Sequence, residues 1–271
     1  MAKGLKAPKN ITVDFKPSAR QYELWKLLQP NYCPVCGGGV EQVLTGYDLN
    51  KNPQYRPQCI QCCNTNLPQL ILGGGAAGGG KSYVGSVWLA SSCTRFENIR
   101  AVVARKTLKS LKESTWNTIK MVLKDWGLKE DVNYKTNNLE GTLTFWNDSV
   151  IIMKEMADIP SDPNFERFGS SEYTIAFVDE VSEISEKAIE VLFSRLRWRI
   201  HETFKTSRML LTTNPTINWV RSRFVQDENG EKVETREGEA YVPFSVFDNP
   251  NEAFRKIYEA ALNKIRDQAT K

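Results

Sequence analysis

The chain has 271 residues, 41% hydrophobic and 25% charged, with a net charge of +4. That balance excludes wholesale disorder, and the length suits one large α/β domain or two small ones. No apolar run reaches bilayer length and residues 1–10 carry no apolar signal core, so a soluble protein acting in a cytoplasm is expected; the slight positive charge does not by itself indicate nucleic acid.

Residues 1–14 read as a lead-in, after which Ser18 can cap a short helix running to about Leu28 with Tyr22, Leu24, Trp25 and Leu28 on it. Residues 31–68 lose this periodicity, are rich in Cys, Gly, Asn and Pro, and read as an insertion. They hold two C-x₂-C pairs, Cys33/Cys36 and Cys59/Cys62, with 22 residues between them. Each pair can turn tightly enough to aim two thiolates at one ion, Gly37 easing the first turn. Four thiolates in a tetrahedron make a closed structural Zn²⁺ site. Cys63 is an alternative to Cys62 as ligand. Free thiols in a loop are the competing reading, but they would leave a segment poor in hydrophobes with little to hold it. Its role is open: docking to DNA or to another protein, or simple stabilisation.

Leu70-Ile71-Leu72 is a short buried strand stopped by glycines, and a helix is expected from Lys81 to about Thr94, with Cys93 in the core. Between them, Gly75-Ala76-Ala77-Gly78-Gly79-Gly80-Lys81-Ser82 fits the Walker A pattern G-x₄-G-K-[ST]. Glycines let backbone N–H groups wrap phosphate oxygens, and the helix N-terminus adds partial positive charge. Lys81 is expected to reach the β- and γ-phosphates of ATP and Ser82 to ligate Mg²⁺, with Tyr83 completing the nucleotide-binding set. A flexible glycine linker is the bland alternative; the Lys-Ser pair and the flanking strand and helix argue against it.

Ala101–Ala104 is the next strand, expected between the phosphate-loop strand and the strand that ends at Asp179. A helix over 108–126 ends at Gly127, and residues 133–156 alternate as strands do. Residues 173–178 form a buried strand delivering Asp179 and Glu180, a Walker B pair. Asp179 would hold the Mg²⁺ shell, and Glu180 would orient and deprotonate the attacking water. Either acid could instead cap the following helix, expected over 185–196. A strand at Met209–Thr212 ends in Thr213, Asn214 and Pro215, where Thr213 or Asn214 could sense the γ-phosphate. A charged loop or hairpin at 226–239, a strand at 241–246 and a helix at 251–266 close the chain. Strands alternating with helices imply an α/β fold, a mostly parallel sheet of the P-loop NTPase kind. The expected divisions are 1–30, 31–68, 69–250 and 251–271. Basic residues cluster over 95–125 and 195–208; His201, the only histidine, reads as a surface group, and Trp116, Trp126, Trp146 and Trp198 as core or interface anchors.

Taken together, these motifs resemble the ATPase domain of tailed-phage terminase large subunits over about 15–248. Phe15 to Gln21 is similar to the adenine-recognition segment, with Gln21 on the base edge. Val102 to Thr107 resembles the strand end that bears an arginine, here Arg105. Arg167-Phe168-Gly169 resembles a turn linked to an arginine finger. Leu211 to Pro215 resembles the coupling motif, and Tyr241 to Ser245 with Asp248 to Pro250 the closing segment. The resemblance implies an ATP-driven motor that pumps double-stranded DNA through a portal protein into a procapsid. Its partners would be a small terminase subunit and further copies in a ring, docked transiently in the host cytoplasm. It also implies a trans arginine, with Arg167 first, Arg105 second and Arg195, Arg197 or Arg199 as alternatives. Two departures are the Cys-rich block and the absence of residues for the usual nuclease domain, so no nuclease activity is expected of this chain. A helicase or transposition ATPase, or a zinc-containing nucleic-acid-binding ATP switch, are the other readings.

Overall fold

The computed structural model describes residues 4–169, 171–200 and 204–264. The insertion forms an antiparallel ribbon of β1 (Val40–Tyr47) and β2 (Pro53–Cys59). The rest is built on one eight-stranded sheet. In chain order its strands are β3 (Leu70–Gly75), β4 (Arg100–Arg105), β5 (Tyr134–Asn137), β6 (Thr142–Phe145), β7 (Val150–Glu155), β8 (Ile175–Val178), β9 (Arg208–Thr213) and β10 (Glu239–Phe244). In space they run β10-β3-β9-β8-β4-β7-β6-β5. Pairings from β10 to β7 are parallel, and the last two are antiparallel.

This order corrects one expectation. A strand does lie between β3 and β8, but it is β9, which pairs with both. Ala101–Ala104 lies on the far side of β8, between it and β7. After β3 the chain crosses to β4 and leaves two places that β9 and β8 fill later.

Both faces of the sheet are covered, which is why β8 reads as an unbroken apolar run. Ile175 and Phe177 pack into one core with α2 (Lys81–Arg95) and α4 (Asn117–Asp125). Ala176 and Val178 pack into the other, with α5 (Glu186–Ser194) and α6 (Trp219–Phe224). The period-two alternation thus divides one strand between two cores. Gly85 of α2 sits directly on the Phe177 ring, where an added Cβ would lie 2.5 Å from Cζ.

The first helix, α1 (Ala19–Leu28), begins where expected. Ser18 and Gln21 form a reciprocal capping box. The expected helix over 108–126 is broken into α3 (Leu108–Leu111), a π-turn (Lys112–Trp116) and α4. The last element among the described residues is α7 (Glu252–Leu262); residues 265–266 of the expected last helix, and His201, lie outside the described residues. Among the described residues no helix is long and apolar enough to cross a membrane.

Candidate nucleotide site and sulfur cluster

The parallel strands end together at one edge of the sheet, where open α/β folds place ligands. Here β3 runs into the glycine loop and α2 starts at Lys81. Gly75 (φ +119°) and Gly80 (φ +81°) occupy backbone conformations that side chains avoid, and a Cβ on Gly75 would collide with the Phe244 carbonyl. Lys81 is 6% exposed, and its ammonium donates to the carbonyls of Gly75 (3.0 Å) and Ala76 (2.7 Å) and to Asn214 Oδ1 (3.3 Å). Burial holds it below the usual lysine range, although Glu180 and Asp179 pull the other way.

Asp179 follows β8 and is 4% exposed. Its Oδ1 accepts from Ser82 Oγ (2.7 Å) and Thr212 Oγ1 (2.6 Å), and its Oδ2 from Thr115 Oγ1 (2.5 Å). A hydroxyl and a carboxylate at this distance are a donor set suited to a hard cation such as Mg²⁺. Glu180 adopts a left-handed backbone (φ +53°, ψ 51°), a strained state for a residue with a side chain. Asn214 Nδ2 donates to its Oε1 (3.0 Å). Asn214 therefore spans the lysine and the second acid with one amide. Burial pushes the Glu180 carboxyl above the ordinary glutamate range, helped by Asp179 and opposed by Arg105 and Lys81.

Ala77, Gly78, Gly80, Lys81, Ser82, Tyr83, Glu180 and Asn214 line one cavity. Gln21 is buried against it: Nε2 donates to the Gly79 carbonyl (3.3 Å) while Oε1 serves the Ser18 cap. Of the two expected sensors, Asn214 makes the contacts; the Thr213 hydroxyl turns to the Asn214 carbonyl. Four contributors escaped the sequence reading. Thr115 and Thr212 hold Asp179, Asn249 Nδ2 donates to the Gly78 carbonyl (2.6 Å), and Phe254, stacked on Tyr258, packs beside Gly78. Thr212 and Asn249 lie within the coupling and closing segments without a role being read for them there, and Thr115 and Phe254 have no local pattern, because each meets the site only through tertiary folding.

The arginines separate. Arg105 ends β4 beside the site, donating to Ser114 Oγ (2.7 Å), and its charge is felt by Glu180. Arg167 is committed to Asp162 (2.7 Å) and the Ala157 carbonyl (2.6 Å) and lies over the rings of both Phe165 and Phe168. Arg195 and Arg197 lie at the opposite edge of the sheet, by Tyr173 ahead of β8, with Arg197 paired to Glu172 (2.8 Å). Arg199 follows on the same segment.

That opposite edge also carries the insertion. Gln42 of β1 hydrogen-bonds the Lys205 carbonyl, and Asn31 accepts from the Lys205 N–H (3.2 Å). Arg208, wholly buried, donates to the Leu27 carbonyl at the end of α1 (3.2 Å). Within the insertion the Sγ atoms of Cys33, Cys36, Cys59 and Cys62 lie within 4.8 Å of one another. Cys33–Cys62 is 3.7 Å and Cys36–Cys59 is 3.4 Å, close to the edge of about 3.8 Å that a tetrahedron with Zn–S bonds near 2.3 Å requires. N–H groups of Gly38, Gln61 and Cys62 point at these sulfurs, and that of Cys62, chiefly, holds the Cys59 thiol down at about 6. The cluster is compatible with zinc. Cys63 lies outside it, so Cys62 is the better-placed ligand, and Cys93 is buried in the core as expected.

No curated protein matches the sequence. Solved structures of the large terminase from a thermophilic bacteriophage share the fold. Crystal form 2 of that protein superposes with a TM-score of 0.56 at 14% identity, covering 90% of this chain and 50% of that one. Crystal form 3 with ATP-gamma-S gives 0.54 at 14% identity, covering 90% and 49%; the ADP complex gives 0.52 at 13%, covering 89% and 49%. The chain thus spans about half the length of the solved large terminase. The family model for phage terminase large subunits matches residues 69–262, from the start of β3 to the end of α7, and the chain belongs to that family.

Proposed function

We propose that this chain is the ATP-hydrolysing motor domain of a terminase large subunit, driving double-stranded DNA through a portal into a procapsid. The observation that carries the reading is Asn214 bridging Lys81 and Glu180 beside the Ser82–Asp179 pair. Lys81 exchanges the Gly75 and Ala76 carbonyls for phosphate oxygens. Ser82 and Asp179 hold Mg²⁺, which when bound neutralises phosphate charge. Glu180, aimed by Asn214 and made more basic than a free carboxylate by burial, orients water and takes its proton. Release of Asn214 from Lys81 on phosphate binding offers a route from nucleotide state to the coupling strand. Arg105 supplies positive charge on this chain's own side of the site; an arginine from a neighbouring copy in a ring completes it. The Cys cluster holds a structural Zn²⁺ that supports the insertion. Portal, small subunit and DNA are the partners the family implies, and the ATP-gamma-S and ADP complexes of the thermophilic phage terminase support nucleotide binding.

Steady-state hydrolysis of Mg·ATP with and without double-stranded DNA tests the reading. Turnover stimulated by DNA and lost in Glu180→Gln is the expected result. Tight nucleotide binding without turnover in any condition would favour a switch, and strand separation would favour a helicase.

A further inference from the structure

The hydroxyls at the start of the α3–α4 segment behave in two ways. Ser110 donates to the Thr107 carbonyl (3.1 Å), Ser114 to the Ser110 carbonyl (2.7 Å), and Thr118 to the Ser114 carbonyl (3.2 Å). These are local backbone bonds of the sort Ser and Thr make in any helix. Thr115 departs from them: it is 1% exposed and reaches across 64 positions of chain to Asp179 Oδ2.

The departure coincides with the π-turn. Lys112–Trp116 bonds with a wider spacing than the α-helical stretches on either side. Such single wide turns are uncommon and concentrate at functional sites. A wider turn rotates the chain less per residue, so adjacent positions point more nearly the same way. Here those positions are Ser114, which receives Arg105 Nη1 (2.7 Å), and Thr115, which donates to Asp179. Relaxation to a regular helix would shift the register by one residue and undo both contacts together.

We infer that Thr115 is a positioning residue for the metal-holding carboxylate, and that the π-turn exists to deliver it. Asp179 Oδ1 already serves Ser82 and Thr212. Thr115 fixes the other oxygen and with it the rotation of the carboxylate, as outer partners of metal-ligating groups do. The inference rests on the proposed Mg·ATP site, to which Thr115 adds a residue that itself touches neither nucleotide nor metal.

The test reads binding rather than turnover. Affinity for ATP-gamma-S is measured by calorimetry with and without Mg²⁺, in wild type, Thr115→Val, Thr115→Ser and Asp179→Asn. Thr115→Val is expected to lose about 10- to 100-fold of the Mg²⁺-dependent gain in affinity. Its metal-free affinity should stay within about twofold of wild type, and Thr115→Ser should restore the gain. Thr115→Ala supplies the same comparison if the valine protein does not fold. A Thr115→Val or Thr115→Ala protein with wild-type Mg²⁺ dependence, while Asp179→Asn loses it, overturns the role of Thr115 and leaves the site standing. A wild-type protein that gains nothing from Mg²⁺ overturns the site and this inference with it.

Discussion

The sheet and the sulfur-rich ribbon hold their shapes by different means. The sheet buries an apolar residue at nearly every inward position of β3, β4, β8 and β9, on two faces. The ribbon's own apolar cluster is Cys33, Val40, Cys59 and Leu67, and Leu49, Tyr47, Tyr55 and Ile60 are exposed. Packing sustains the first, whereas the second, on the proposed zinc reading, would depend on four sulfurs sharing an ion. The family match covers the first region and excludes the second. The candidate nucleotide site lies on the part with the two large apolar cores.

The largest expected effect lies in the sheet. Glu180→Gln should lower turnover by about 10³-fold while leaving nucleotide binding and the ribbon unchanged; near-normal steady-state ATPase would remove Glu180 from its assigned role. Next comes chelation, or Cys59→Ser. Residues 31–68 should lose hydrogen-exchange protection while the sheet keeps its own. Elemental analysis should find one zinc per chain, and a metal-free protein with a protected ribbon would erase the contrast between the two regions. Third, Gly85→Ala should destabilise the sheet by about 1–3 kcal/mol in denaturant unfolding, because its methyl must displace the buried Phe177 ring. An unchanged midpoint would mean that α2 sits less tightly on β8 than described.

The smallest effect is one of pH. The folded Glu180 carboxyl titrates above the unfolded one. The stability from its protonated form is therefore complete below the ordinary glutamate range and lost as pH rises through the folded value. At neutral pH the charged carboxylate is a burden on the fold, so Glu180→Gln should raise the thermal midpoint by roughly 1–3 °C there. The gain should vanish in mild acid; a gain independent of pH would contradict the burial argument.

The legible parts of the fold were those written in neighbouring residues. The Ser18–Gln21 cap, the glycine loop with Lys81 and Ser82, the Asp179–Glu180 strand end and Asn214 all follow from local pattern. The ribbon was missed because its two strands carry Pro53, Pro57 and Gly46 and pack on sulfur, with no apolar alternation. Strand order was misassigned for a related reason: apolar runs mark β4 and β9 as strands but say nothing of which one lies beside β3. Thr115 was invisible because an isolated threonine has no signature until folding brings it to a carboxylate, and Thr212, though inside the coupling motif, gave no sign that it would meet Asp179.

The attachment of the ribbon has a mechanical consequence. Gln42 and Asn31 grip Lys205, just ahead of β9, while Asn214 stands just beyond the other end of that strand. A load on the ribbon therefore reaches the sheet by two routes, the covalent link into β3 and the Lys205 contacts at the head of the segment that ends between the lysine and the second acid. A strand bonded on both sides resists stretching far more than bending, so the force entering at Lys205 travels lengthwise toward Asn214.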